Sequence, residues 1–263
     1  MDFVGFITGG LPLWGLAIVL PLLFIAGFVD AIGGGGGLIS IPAYLFCGLP
    51  PHLAIGTNKL SSSMGTSIAT WRYAKNGYIP WKIAGLSVIT ALLGSFLGAR
   101  LALVASDRLL MIFMLVALPI VGFYVIYKKD LNNDKPAFGA SKTAILCMAV
   151  AFVVGIYDGF YGPGTGTFLL LLLTGVARLD VFKAAGVTKA INLTTNVTAL
   201  IVFLASGTAL IGLGITGGIA NIAGNYLGAK LFSNKGSAIV RPIILVVIVV
   251  FAVRLILQLT GIM

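Results

Sequence analysis

The chain has 263 residues, of which 59% are hydrophobic and 9% charged, with a mean hydropathy of +1.10. A soluble domain is about one-quarter charged, so this composition excludes a soluble fold. The net charge of +10 fits the excess of Lys and Arg in cytoplasmic loops of membrane proteins better than a nucleic-acid surface.

The acid count narrows the chemistry. All seven acids are aspartates (Asp2, Asp30, Asp107, Asp130, Asp134, Asp158 and Asp180), so glutamate-based hydrolysis and di-iron carboxylate sites are excluded. One histidine, His52, and two cysteines, Cys47 and Cys147, are too few for a zinc centre. Both cysteines fall in apolar runs and read as small buried hydrophobes. His52 follows Pro50-Pro51 and reads as a solvated loop residue. No cofactor is expected. Met1-Asp2-Phe3 has no basic stretch and does not read as a cleaved signal peptide.

Several apolar runs exceed about 18 residues, enough to cross a bilayer as a helix. They do not alternate with polar residues as barrel strands do. In chain order the first half predicts segments a (11–32), b (38–48), c (54–75), d (81–104) and e (108–127). A polar linker, 128–142, carries four lysines and two aspartates. The second half predicts a′ (143–160), b′ (166–176), c′ (183–205), d′ (208–231) and e′ (237–260). Segments b and b′ are short. Each crosses as a tilted helix or re-enters as a hairpin with its predecessor. A hydropathy count that misses them gives eight spans.

The two halves repeat one another. Gly27-Phe28-Val29-Asp30, followed by Gly33 to Gly37, is echoed by Gly155-Ile156-Tyr157-Asp158, then Gly159, Gly162-Pro163-Gly164 and Gly166. At an offset of 130, residues 56–101 and 186–231 share ten identities in 46 positions, including Lys59 with Lys189. Both copies contain a GxxxG pair, Gly94/Gly98 and Gly224/Gly228, which reads as close helix packing.

Charge sets the orientation. The c–d connection carries Arg72, Lys75 and Lys82, whereas its counterpart Ser206-Gly207-Thr208 carries no charge. Placing c–d, the linker, b′–c′ and d′–e′ in the cytoplasm puts twelve of the 17 Lys and Arg inside. Each half then crosses an odd number of times. The reading is an all-α polytopic membrane protein of 8–10 spans. It has two inverted-topology repeats, 1–127 and 143–263, joined by a cytoplasmic linker, with both termini outside.

The matched glycine breaks point to a transport site at the interface of the halves. Exposed amides at half-helix N-termini favour an anion. Gly36, Gly37, Gly164 and Gly166 are the candidates, and close helix packing is the alternative. Segment c packs Thr57, Asn58, Lys59, Ser61, Ser62, Ser63, Thr66, Ser67 and Thr70 into 14 residues. Segment c′ offers Lys189, Asn192 and Asn196. Lys59 and Lys189 either bind an anion, with Asn58, Ser62, Thr66, Asn192 and Asn196 donating hydrogen bonds, or snorkel to the interface. Asp30 and Asp158 are the only acids within predicted spans. They pair with the lysines, cap a half-helix or bind a coupling proton.

These residues resemble the TauE/SafE (TSUP) family of membrane permeases. The resemblance rests on Gly27-x-x-Asp30 with its glycine run and Pro42, on Gly56-Thr57-Asn58-Lys59, and on Gly155-x-x-Asp158-Gly159-Phe160-Tyr161-Gly162-Pro163-Gly164-x-Gly166, with Lys189, Asn192 and Asn196. It spans about residues 12–260. In this chain the first glycine run is unbroken by other residues. The resemblance implies export of a small anion such as sulfite, sulfoacetate or a related organosulfonate, with proton coupling in some members.

The expected activity is secondary transport of a small anion across the plasma or inner membrane, not an enzymatic reaction. The partners are that anion and the bilayer, with no nucleic acid, and a homodimer is possible. A channel for a small ion or neutral solute, or a non-transporting membrane subunit, is the alternative.

Overall fold

The computed structural model describes residues 3–127, 138–231 and Leu257. Among these residues the fold is helical throughout, with no strand. Its helices are α1 (Phe3–Thr8), α2 (Leu13–Gly33), α3 (Gly37–Phe46), α4 (Pro51–Lys75), α5 (Trp81–Val104), α6 (Asp107–Tyr127), α7 (Ala140–Phe160), α8 (Thr165–Gly175), α9 (Val181–Ala205) and α10 (Ile211–Leu231).

Nine of these match the expected segments a to d′ to within three residues at each end. Helix α1 was not foreseen: six residues lie below the length at which apolar periodicity is readable. Segment e′ and most of the linker lie outside the described residues.

Local sequence explains the boundaries. Pro12, Pro50 and Pro80 precede α2, α4 and α5, and proline's fixed φ suits a helix entrance. The Asp180 carboxylate caps α9 by accepting from Phe182 N at 3.0 Å and Lys183 N at 3.4 Å. His52 is not a free loop residue. It sits in the first turn of α4, with Nδ1 2.6 Å from Asp107 Oδ1 and Nε2 2.9 Å from Ala102 O. It thereby ties the start of α4 to the end of α5 and the start of α6. Sequence placed it beside two prolines and gave no sign of partners 50 residues away.

Successive helices have similar lengths in the two halves. The lengths are 21 and 21 residues for α2 and α7, 10 and 11 for α3 and α8, 25 and 25 for α4 and α9, and 24 and 21 for α5 and α10. The halves interlock. Helix α2 packs on α10 and α7 packs on α5, while α4 and α9 meet at the centre. Helix α4 also packs on α10, and α9 on α5. Exchanging the halves swaps the α2–α10 and α7–α5 contacts, swaps α4–α10 with α9–α5, and maps α4–α9 onto itself.

Glycine makes the close crossings possible. A Cβ on Gly94 or Gly98 would overlap the main-chain carbonyls of Phe152 and Ile156 on α7. A Cβ on Gly224 or Gly228 would overlap those of Phe24 and Phe28 on α2. The GxxxG pairs are therefore packing motifs in both halves. Helix α5 keeps its small residues inward: Ala84, Ser87, Ala91, Ser95, Ala99 and Ala102 are buried. Its large ones, Leu86, Ile89, Leu93, Leu97 and Leu101, are exposed. Large apolar groups outward and small ones inward is the arrangement a bilayer selects.

Four described helices, α2, α5, α7 and α9, are long and apolar enough to cross a membrane by length and composition. The eight expected from hydropathy also include segment e′, which lies outside the described residues, and α6, whose side chains are described only in part. Helix α4 falls short because of its polar stripe, and α10 because of six glycines and two asparagines.

Candidate functional site

The site forms where two helix breaks meet. Helix α2 stops at Gly33 and α3 starts at Gly37; α7 stops at Phe160 and α8 starts at Thr165. Gly34 has φ 74° and Gly162 φ 97°, left-handed values that glycine adopts without the strain a Cβ brings. The breaks touch: a Cβ on Gly34 would overlap the backbone of Gly166, and one on Gly37 would lie 3.0 Å from Pro163 Cα. Thr167 Oγ1 donates to Gly33 O at 2.5 Å across this contact.

Each break carries an aspartate, and each aspartate meets the lysine of the opposite half. Lys59 Nζ of α4 lies 3.1 Å from Asp158 Oδ1 of α7. Lys189 Nζ of α9 lies 3.2 Å from Asp30 Oδ2 of α2 and also donates to the Asp30 main-chain carbonyl. Relative exposures are 1% for the Lys59 side chain, 2% for Asp158, 4% for Lys189 and 13% for Asp30. Neither lysine snorkels to the surface. A buried charge is tolerated when paired and hydrogen-bonded, and these are.

Between the breaks lies a cavity of about 20 Å³, lined in part by Asp30, Asn58, Lys59, Ser62, Asp158, Asn192 and Asn196. That volume holds about one water. The first residues of both short helices, Gly37 of α3 and Thr165 and Gly166 of α8, also line it. Their N-terminal dipole ends thus face the cavity.

The hydrogen-bond pattern fixes which groups remain to bind a ligand. Lys59 donates to Asp158 and to Asn196 Oδ1 at 3.2 Å, which leaves the third ammonium hydrogen. The Asn58 carbonyl oxygen accepts from Ser62 at 3.3 Å, and that of Asn192 accepts from Asn196 at 3.3 Å. The NH₂ groups of Asn58 and Asn192 are left as donors at the cavity. Opposing them are the carboxylates of Asp158 and Asp30.

Of the residues singled out by sequence, Lys59, Asn58, Ser62, Asn192, Asn196, Gly37, Gly166, Asp30 and Asp158 come together here. Four do not. Lys189 turns to Asp30 and stays outside the lining. Thr66 is buried on α4 but does not reach the cavity. Gly36 serves packing, since a Cβ there would lie 2.7 Å from Ala26 O and Asp30 Cβ. Gly164, at φ 80°, shapes the turn into α8. Sequence reading missed Thr165, whose hydroxyl lies 2.7 Å from both Asp158 Oδ1 and the Gly162 carbonyl and donates to one of them. The available signal was a hydroxyl at the start of a helix, seven residues after a buried acid.

A family model described as "Sulfite exporter TauE/SafE" matches residues 19–255. The chain belongs to the TauE/SafE family. It is similar to "Probable membrane transporter protein ORF9" of a Sinorhizobium species, with 34% identity over 91% of this chain and 92% of the relative. A probable membrane transporter protein of Haemophilus influenzae is 34% identical over 88% of this chain and 90% of its own length. The probable membrane transporter protein YfcA of Escherichia coli K12 is 27% identical over 94% and 91%. No solved structure matches the chain. This TauE/SafE protein is a multi-pass membrane transporter, and its paired glycine breaks with their buried aspartates lie within the matched region.

Proposed function

We propose that this protein is a secondary carrier for a small oxyanion, with sulfite, sulfoacetate or a related organosulfonate as the substrate class and export as its physiological direction. The observation that carries the reading is the set of donors left at the cavity: the third Lys59 hydrogen and the amides of Asn58 and Asn192. Three convergent donors, one of them charged, suit a group with several equivalent oxygens. Two helix N-termini add to the attraction.

The cavity is smaller than any such anion, so binding requires the two breaks to part. Alternating access follows if the two halves rock about this contact and expose the site to one side at a time. The repeats would then be inverted, with the c–d connection inside and both termini outside the plasma or inner membrane. The family description, which names sulfite export, supports the substrate class.

The experiment is flux into proteoliposomes of sulfite, sulfoacetate and isethionate, compared between the natural protein and Lys59→Met. The reading expects saturable flux of at least one of these anions and its loss in the variant. It fails if no anion moves, or if Lys59→Met carries the same flux.

A further inference from the structure

The two ion pairs at the breaks are not equivalent. Lys189 binds both the main-chain carbonyl and the carboxylate of Asp30, at the last turn of α2, and takes no part in the cavity wall. A lysine on the last carbonyls of a helix is a structural cap. Lys59 and Asp158 both line the cavity and face each other across 3.1 Å. No side chain intrudes on them at Gly162, where a Cβ would lie 2.6 Å from Asp158 Oδ1 and 3.0 Å from Lys59 Nζ. Asp158 Oδ2 is buried without a partner. An unsatisfied carboxylate oxygen in a buried site is costly, and the protein keeps one on a residue of the cavity wall.

Charge restricts what can enter. The empty pair holds one ammonium and one carboxylate, net zero. A plain monoanion that takes the Lys59 hydrogens leaves the Asp158 carboxylate as an uncompensated buried charge, which the low-dielectric interior penalises heavily. A dianion does the same and adds a second negative charge. The penalty disappears when the ligand brings a positive group of its own and sets it against Asp158.

We propose that the preferred substrate is a zwitterion, an aminoalkanesulfonate whose sulfonate takes Lys59, Asn58 and Asn192 and whose ammonium takes Asp158 at Oδ2. This rests on the oxyanion-carrier reading and narrows its organosulfonates to those that carry an amine. The Lys59–Asp158 contact opens and two contacts replace it, Lys59 with the sulfonate and Asp158 with the ammonium. The loaded site is net zero, as the empty one is. Neither form of the carrier moves charge, so the substrate runs down its own gradient, outward from a cell that accumulates it.

The donors and acceptors at the wall fit the two ends. Three donors, the free Lys59 hydrogen and the amides of Asn58 and Asn192, match the three oxygens of a sulfonate, where a carboxylate offers two. The side-chain oxygens of Asn58, Asn192 and Asn196 are engaged by Ser62, Asn196 and Lys59. Asp30, the other acid at the wall, already has its own lysine. Asp158 is the charged acceptor left for an ammonium.

The test follows three labelled sulfonates into proteoliposomes holding the full chain. 2-Aminoethanesulfonate, isethionate and 1-propanesulfonate share one skeleton and end in an ammonium, a hydroxyl and a methyl group. The kcat/KM of the amine should exceed that of propanesulfonate by about tenfold or more, because the methyl leaves a buried charge unpaired. Isethionate, whose hydroxyl donates without charge, should fall between them. An imposed membrane potential should leave flux of the amine unchanged. In Asp158→Asn, Lys59 stands as a lone charge and a monoanion becomes the matched ligand, so the order should invert and propanesulfonate should lead. A role for Asp158 in stability alone would lower all three fluxes and keep their order. A natural protein that carries either anion as well as the amine, or favours the amine by less than that factor, would overturn the zwitterion and leave the carrier reading intact. So would potential-driven flux of the amine, or an unchanged order in Asp158→Asn. Absence of flux with all three sulfonates, with sulfite and with sulfoacetate would overturn both. The ratio and the potential dependence of the natural protein decide the matter if Asp158→Asn does not fold.

Discussion

Lys59 and Asp158 form a buried ion pair whose loss would be read in stability and, on the proposed function, in transport. Each partner is almost fully enclosed, and removing one leaves the other uncompensated. Lys59→Met should therefore cost about 3–5 kcal/mol. Adding Asp158→Asn removes the stranded carboxylate, so the double variant should recover most of that loss. The check is a double-mutant cycle on thermal unfolding in detergent. Additive losses would show that the pair is not coupled. Transport should stay absent in the double variant, because a methionine offers the anion no donor. The two lysines and two aspartates were legible as candidates from sequence, since each is a charge inside an apolar run. Their crossed pairing was not. A repeat shows which residues are equivalent but does not show how one copy sits on the other, and that placement decides whether Lys59 meets Asp30 or Asp158.

The helices follow from a membrane version of ordinary packing rules. Small residues face small residues, and close approach replaces hydrophobic burial as the source of cohesion. Two substitutions on α5 separate packing from propensity. Gly98→Ala places a Cβ into the Ile156 carbonyl of α7 and should destabilise the protein by about 1–3 kcal/mol. Gly85→Ala, on the same helix with nothing within 4 Å, should stabilise it by roughly 0.5–1 kcal/mol through helix propensity. Unfolding in detergent measures both, and equal effects of the same sign would refute the packing account. Element boundaries were legible because proline entrances and glycine exits punctuate long apolar runs. Helix α1 was not, since six residues carry too little pattern. Helices α4 and α10 fall below the hydropathy of a simple span because α4 carries serine, threonine and asparagine and α10 glycine and asparagine, most of them buried against neighbouring helices.

At the scale of the whole molecule, the site exists only because the halves interlock. The cavity wall takes Asn58, Lys59 and Ser62 from the first half and Asp158, Asn192 and Asn196 from the second. Neither half holds it alone. On the proposed inversion each half crosses an odd number of times, so a reporter fused after Met263 should read outside. A cytoplasmic reading would contradict the inversion. The repeat itself was legible from residues such as Gly56 and Lys59 with Gly186 and Lys189, whereas the tight contact of Gly34 with Gly166 is a tertiary fact that no offset in the sequence encodes. The central claim is that this interlocked site is a carrier for an oxyanion, and counterflow tests it most directly. Vesicles loaded with unlabelled sulfoacetate or isethionate are diluted into a trace of the labelled anion. The account predicts a transient overshoot of label inside that disappears in Lys59→Met. Label that only equilibrates with the medium, or an overshoot that survives without Lys59, would contradict it.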